Sequence, residues 1–195
     1  MLLWQGPATS SFLVVLAPGD MGLATDAAPA AIAHGFAKAG LLVVRFDCPS
    51  PTATPDASLA VQIRDAAAAR EPHQRLVLAG LSRGARVSAT LIEELGAVGL
   101  VGFAYPFHPR HDPDPGDRVR QLCRVPVPAL ICQGTRDSHG NQQQVRGYNL
   151  PAHVAVHWLF DANHALRPRA RSGCTQESQL AQAAQVAATF IQQLA

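Results

Sequence analysis

Short apolar runs alternate along the chain with alanine-rich stretches whose apolar residues recur every three or four positions. The runs are SFLVVLA (11–17), LLVVRF (41–46), RLVLAG (75–80), VGLVGFA (98–104), PALICQG (128–134) and HVAVHWL (153–159). They are rich in leucine and β-branched residues and apolar on both faces, as parallel strands covered above and below should be. Six strands are therefore predicted.

Helices are predicted between them. Thr25 or Asp26 can cap a helix that carries Pro29 in its early turns and closes at Gly40, where a left-handed residue is easily accommodated. Leu59, Ile63 and Ala67 give a second helix an apolar face, and Val87, Leu91 and Leu95 do the same for a third. Leu180, Ala183, Ala187, Phe190 and Leu194 form a stripe on a last helix, opposite a glutamine-rich face. Strands separated by helices of this length imply right-handed βαβ crossovers. The expected fold class is α/β: a doubly wound, mainly parallel sheet of about six strands with helices on both faces, forming one domain over residues 1–195. Two proline-rich loops, DCPSPTATPD (47–56) and YPFHPRHDPDPGDR (105–118), leave the carboxyl edge of that sheet. Ligands bind at this edge in open α/β folds, so both loops are candidate pocket walls.

Composition removes several function classes. The formal charge of +2 comes with no lysine or arginine run, so a nucleic-acid partner is not expected. The opening MLLWQG has no basic n-region, and no segment has the uninterrupted apolar length of a bilayer span. A cytoplasmic protein without a membrane partner is expected. Cys48, Cys123, Cys132 and Cys174 form no C-x-x-C pair and read as small buried hydrophobes. His108, His111 and Asp112 look like a metal group, but Pro109 prevents the regular helix that would set two ligands on one face. Neither a metal nor a cofactor is expected, and oligomeric state stays open.

The residues with chemical potential begin at Gly80-Leu81-Ser82-Arg83-Gly84. A strand precedes them and a helix follows at once, which is the context of a nucleophile elbow. That turn would lift the Ser82 hydroxyl above the sheet and aim the Arg83 N–H at a developing oxyanion. A phosphate-binding turn is the competing reading, but no G-x-G-x-x-G or Walker lysine supports it. In such a fold the acid and the histidine follow the serine in that order, each on a loop after a later strand. Asp137 in CQGTRDSHG and His164 in FDANHAL satisfy both conditions. Asp161 is the spare acid and His139 the spare base. Tyr105, Phe107 and His108 are candidate pocket-lining residues. Arg83 and Arg86 read as packing arginines or as contacts to an anionic substrate, and Arg45 and Asp47 as a structural ion pair.

Taken together, LAPGDMG, RFDCP, GLSRGAR, YPFHP, QGTRD and DANHAL resemble the α/β-hydrolases. The similarity covers nearly the whole chain. It is greatest to the short, lidless dienelactone-hydrolase-like group, which includes testis-expressed and chromatin-complex relatives. The resemblance implies a serine hydrolase for a small ester or thioester, with Ser82 as nucleophile, His164 as base and Asp137 as orienting acid. It also implies a second oxyanion donor at the Asp20 N–H, with Gly19 making the turn, and Gly19 and Met21 beside the substrate. Two departures stand out. Many relatives have histidine and a small residue on either side of that glycine, where this chain has Pro18 and Asp20. An aspartate there repels an oxyanion unless its side chain turns away or pairs with a neighbour such as Arg83. Dienelactone hydrolases proper use a cysteine nucleophile, so Ser82 points away from that substrate. The alternative function is a catalytically silent scaffold for protein interaction.

Overall fold

The structure, a computed structural model, describes residues 1–20, 22–48, 54–112, 114 and 116–194. In chain order the elements are β1 (Leu2–Gln5), β2 (Phe12–Ala17), α1 (Ala27–Lys38), β3 (Leu42–Phe46), α2 (Pro55–Ala68), β4 (Arg75–Leu81), α3 (Arg83–Thr90), α4 (Ile92–Leu95), β5 (Gly99–Phe103), α5 (Gly116–Cys123), β6 (Ala129–Gly134), α6 (Gln142–Arg146), β7 (Val154–Leu159) and α7 (Gln176–Gln192). The strands form one sheet in the order β1-β3-β2-β4-β5-β6-β7. All neighbours are parallel except β1, which runs antiparallel to β3.

The two-residue period of a strand divides the core. Leu13, Val15 and Ala17 of β2 face a layer containing Leu59 and Ile63 of α2, Val87 of α3 and Leu122 of α5. Phe12, Val14 and Leu16 face the opposite layer, where Ile32 and Phe36 of α1 meet Leu180, Ala183 and Ala187 of α7. Burying each leucine- or isoleucine-sized side chain contributes about 1.5–3 kcal/mol, and both faces of the sheet collect such gains.

Each of the six expected strands lies within one residue of its predicted bounds at both ends. The seventh, β1, is a correction. Its four residues alternate between exposed and half-buried, with Trp4 at 45% exposure, so it lacks the continuous apolar signature of the buried strands. The third predicted helix is also corrected, because it breaks at Leu91 (φ −106°, ψ 0°) into α3 and α4. Of the four cysteines, only Cys132 is fully buried, and burial pushes its thiol up to about 12. Arg45 and Asp47 do not pair with each other. Arg45 Nε donates to the Ala24 carbonyl and the Ala24 N–H donates to Asp47, both at 2.8 Å, so together they fix the segment before α1. Of the loop at 47–56, residues 49–53 lie outside the described residues. Among the described residues, no helix is long and apolar enough to cross a membrane.

The strand order positions the site. From β2 the chain moves to β3 on one side, then returns to β4 on the other. The connections after β2 and β4 therefore part in opposite directions, and a crevice opens between their carboxyl ends.

Leu78, fully buried at the centre of β4, and half-exposed Trp4 of β1 should respond very differently to truncation. Leu78→Ala is expected to lower unfolding free energy by about 2–5 kcal/mol in denaturant titrations. Trp4→Ala should cost about 1 kcal/mol or less.

Candidate active site

Ser82 occupies the single residue between β4 and α3, with φ 48° and ψ −116°. A non-glycine residue held there costs on the order of 1–3 kcal/mol, so its surroundings must impose the conformation. The Ser82 N–H donates to the Phe103 carbonyl at 2.8 Å, and the Ser82 carbonyl accepts from the N–H groups of Ala85 and Arg86 at 3.1 and 3.3 Å. The flanking glycines are required by close approach. A Cβ at Gly80 would lie 2.4 Å from the Ala85 nitrogen, and one at Gly84 would lie 2.4 Å from the Pro18 carbonyl oxygen.

The loops after β6 and β7 bring two further side chains to Ser82. His164 Nε2 lies 2.9 Å from Ser82 Oγ, and His164 Nδ1 lies 2.9 and 3.0 Å from the two Asp137 oxygens. The only hydrogen that can occupy the second contact is on Nδ1, which leaves Nε2 to accept from the Ser82 hydroxyl. Asp137 is 1% exposed, and its carboxylate also accepts from the His139 N–H at 2.8 Å and from Gln133 Nε2 at 3.0 Å. Gln133 is fully buried at the end of β6 and also contacts the Tyr105 and Gly140 carbonyls. It was not among the residues expected from the sequence, although one amide at the end of the apolar ALICQG run was a visible signal.

The two spare candidates have other partners. Asp161 (φ 56°) is buried and binds Arg136 and Arg169, with Arg169 Nε at 2.9 Å. The Arg169 hydrogen bond, more than any other contact, holds its carboxyl well below the usual carboxylate range. It anchors the loop bearing His164 and does not touch the imidazole. The His139 ring packs against that of His164 with centroids 4.3 Å apart and planes tilted by 44°, and His139 donates from Nδ1 to the His108 carbonyl at 3.0 Å. Burial lowers its pKa, partly opposed by that hydrogen bond, so it presents an uncharged ring near neutral pH.

Two cavities meet at Ser82 and His164. One, about 350 Å³, is walled by Gly19, Leu23, Pro29, Leu81, Phe103 and Leu166 among others. The other, about 360 Å³, carries Arg83, Arg86, Arg118, Asp20, Asp56 and His139. The N–H groups of Arg83 and Asp20 have no acceptor among the described residues, and both residues border the arginine-bearing cavity at Ser82. Asp20 Oδ1 lies 3.0 Å from Arg83 Nε, which draws the carboxylate toward a cation. Tyr105, Phe107 and His108 require correction. All three are buried, and they line neither cavity. The Tyr105 hydroxyl donates to the Arg118 carbonyl at 3.0 Å, and the Tyr105 and Phe107 rings meet edge-on, so the loop turns these side chains into the core. His108 contributes through its carbonyl to His139. Met21 lies outside the described residues.

Comparison with known proteins bears on the family and the fold. A family model described as "Alpha/beta hydrolase domain" matches residues 11–192. No curated protein matches the chain. Among solved structures, dienelactone hydrolase from Anabaena variabilis is similar at TM-score 0.73 and 16% identity, over 98% of this chain and 90% of that one. An alpha-beta serine hydrolase homologue from Coxiella burnetii is similar at 0.72 and 18%, over 95% and 90%. A serine hydrolase without a lid from Xanthomonas campestris is similar at 0.59 and 20%, over 84% and 79%.

Two outcomes are expected from this local architecture. Gly84→Val should displace the segment at Pro18 and lower the thermal midpoint by several degrees, read by calorimetry. Asp161→Asn should destabilise the protein at neutral pH. Because the native carboxyl is depressed, its contribution is complete above the unfolded value of about 4 and is lost as pH falls through the lower native one. The difference between the two proteins in unfolding experiments should therefore shrink as the solution is acidified below about 4.

Proposed function

Since the chain belongs to the alpha/beta hydrolase domain family, we propose that it is a serine hydrolase cleaving a small ester or thioester through an acyl-enzyme on Ser82. The observation that carries this reading is the unbroken hydrogen-bonded row from Ser82 Oγ through His164 to Asp137. In the first step Ser82 Oγ attacks the carbonyl carbon while His164 Nε2 takes the hydroxyl proton. The tetrahedral oxyanion is met by the Arg83 and Asp20 N–H groups, each worth on the order of 3 kcal/mol of barrier. The bond to the leaving oxygen or sulfur breaks, and His164 returns its proton to that atom. Water, deprotonated by His164, then attacks the acyl-enzyme, and Ser82 recovers its proton as the carboxylic acid leaves.

Asp137 fixes the imidazole tautomer and stabilises the imidazolium. Gln133 and His139 position Asp137 and His164. Cavities of about 350 and 360 Å³ on either side of Ser82 favour small substrates over long acyl chains. A silent scaffold would be favoured by an Asp20 carboxylate filling the oxyanion position, and the contact of that carboxylate with Arg83 Nε argues against it.

Ser82→Ala is expected to retain its thermal midpoint or gain slightly, while losing hydrolysis of short acyl esters and labelling by a fluorophosphonate. Labelling that persists in Ser82→Ala would identify a different nucleophile. Asp137→Asn should keep the fold and reduce kcat by about three to four orders of magnitude, because the amide no longer selects the required tautomer.

A further inference from the structure

The two cavities that meet at Ser82 differ in charge. The first, of about 350 Å³, is lined mainly by apolar side chains, among them Leu23, Pro29, Phe103 and Leu166. The other brings together Arg83, Arg86 and Arg118, from the first turns of α3 and from α5, with Asp20 and Asp56. Two of these cations are matched: Arg83 Nε lies 3.0 Å from Asp20 and Arg86 Nη2 lies 2.5 Å from Asp56. Arg118 is the remaining one. Its Nη1 donates to the Pro106 carbonyl at 3.3 Å, and among the described residues it has no carboxylate partner. Arg118 is half-buried, and burial, followed by the nearby charge of Arg86, disfavours its cationic form. A guanidinium stays charged regardless, and although Asp56 and Asp20 also attract it at a distance, both are paired with Arg86 and Arg83, so the cavity sets three guanidinium groups against two carboxylates.

From this arrangement we propose that the substrate carries an anionic group, a carboxylate or a phosphate, which binds Arg118 in the cavity beside Ser82 while its other arm fills the apolar cavity. The inference rests on Ser82 being the nucleophile that cleaves between the two arms. It gives Arg118 a binding role, with Arg86 shaping the same wall through its pair with Asp56. A planar fork of N–H donors suits either anion, and an ammonium at the same position does not reproduce it.

The test compares three acetate esters: phenyl acetate, its ring-carboxylated analogue and its ring-phosphorylated analogue. Preference is read as the ratio of kcat/KM for each anionic ester to that for phenyl acetate on one enzyme, so partial loss of folded protein cancels. Wild type should prefer at least one anionic ester by about tenfold or more, and the better of the two identifies the anion. Arg118→Gln should bring that ratio close to one, and Arg118→Lys should restore only part of it. Fluorophosphonate labelling of Ser82 in each variant reports whether the site remains assembled. A wild-type ratio near one, or a ratio that survives Arg118→Gln in labelled enzyme, overturns the anion site and leaves the hydrolase reading intact. Failure of wild type to hydrolyse any ester or to label at Ser82 overturns both.

Discussion

The site depends on how closely two backbones approach at the carboxyl edge of the sheet. The Pro18 carbonyl at the end of β2 and the first turn of α3 leave no space for a Cβ at residue 84. That contact brings the Asp20 segment beside Ser82, while crowding at Gly80 allows the abrupt change from strand to helix. The positive φ of Ser82 follows from these constraints together with its bonds to Phe103, Ala85 and Arg86. The strain is local, and its cost is met by a core packed on both faces of the sheet.

Much of this was legible in the sequence, for physical reasons. Strands covered on both faces must be apolar throughout, so β2, β4, β5 and β6 appeared with nearly correct bounds, and β3 and the half-exposed edge strand β7 kept enough apolar residues to appear with them. Ser82, Asp137 and His164 were legible because each follows a recognisable apolar strand, and the carboxyl ends of parallel strands lie at one edge of the sheet. Where the pattern weakens, legibility fails. β1 is short, half-exposed and antiparallel, and its alternation over four residues is too brief to read. The break at Leu91 leaves the apolar spacing undisturbed, since Val87 and Leu91 are buried on either reading.

The misassigned pocket residues teach a different lesson. Loop position suggested that Tyr105, Phe107 and His108 line the pocket at the serine, but of residues 105–108 only Pro106 does so. Periodicity gives no direction to side chains in an irregular segment, and here the aromatic rings point into the core. The residues facing the second cavity instead include Pro106, which sits between two of those buried residues, and Arg118, further along the chain. Gln133 was missed for a related reason. A single polar residue ending an apolar strand announces a buried hydrogen-bond network, but not which partners it will have.

The surroundings of Asp137 carry one more consequence. Apart from His164, its partners are a backbone N–H and a side-chain amide, and neither bears a formal charge. Among the described residues, no lysine or arginine side chain pairs with this buried carboxylate. In the proposed chemistry, that deficit is filled only when the serine proton arrives on the imidazole. On that proposal the electrostatic relief comes at the barrier, so a permanent cation placed beside Asp137 would slow turnover even while making the protein sturdier.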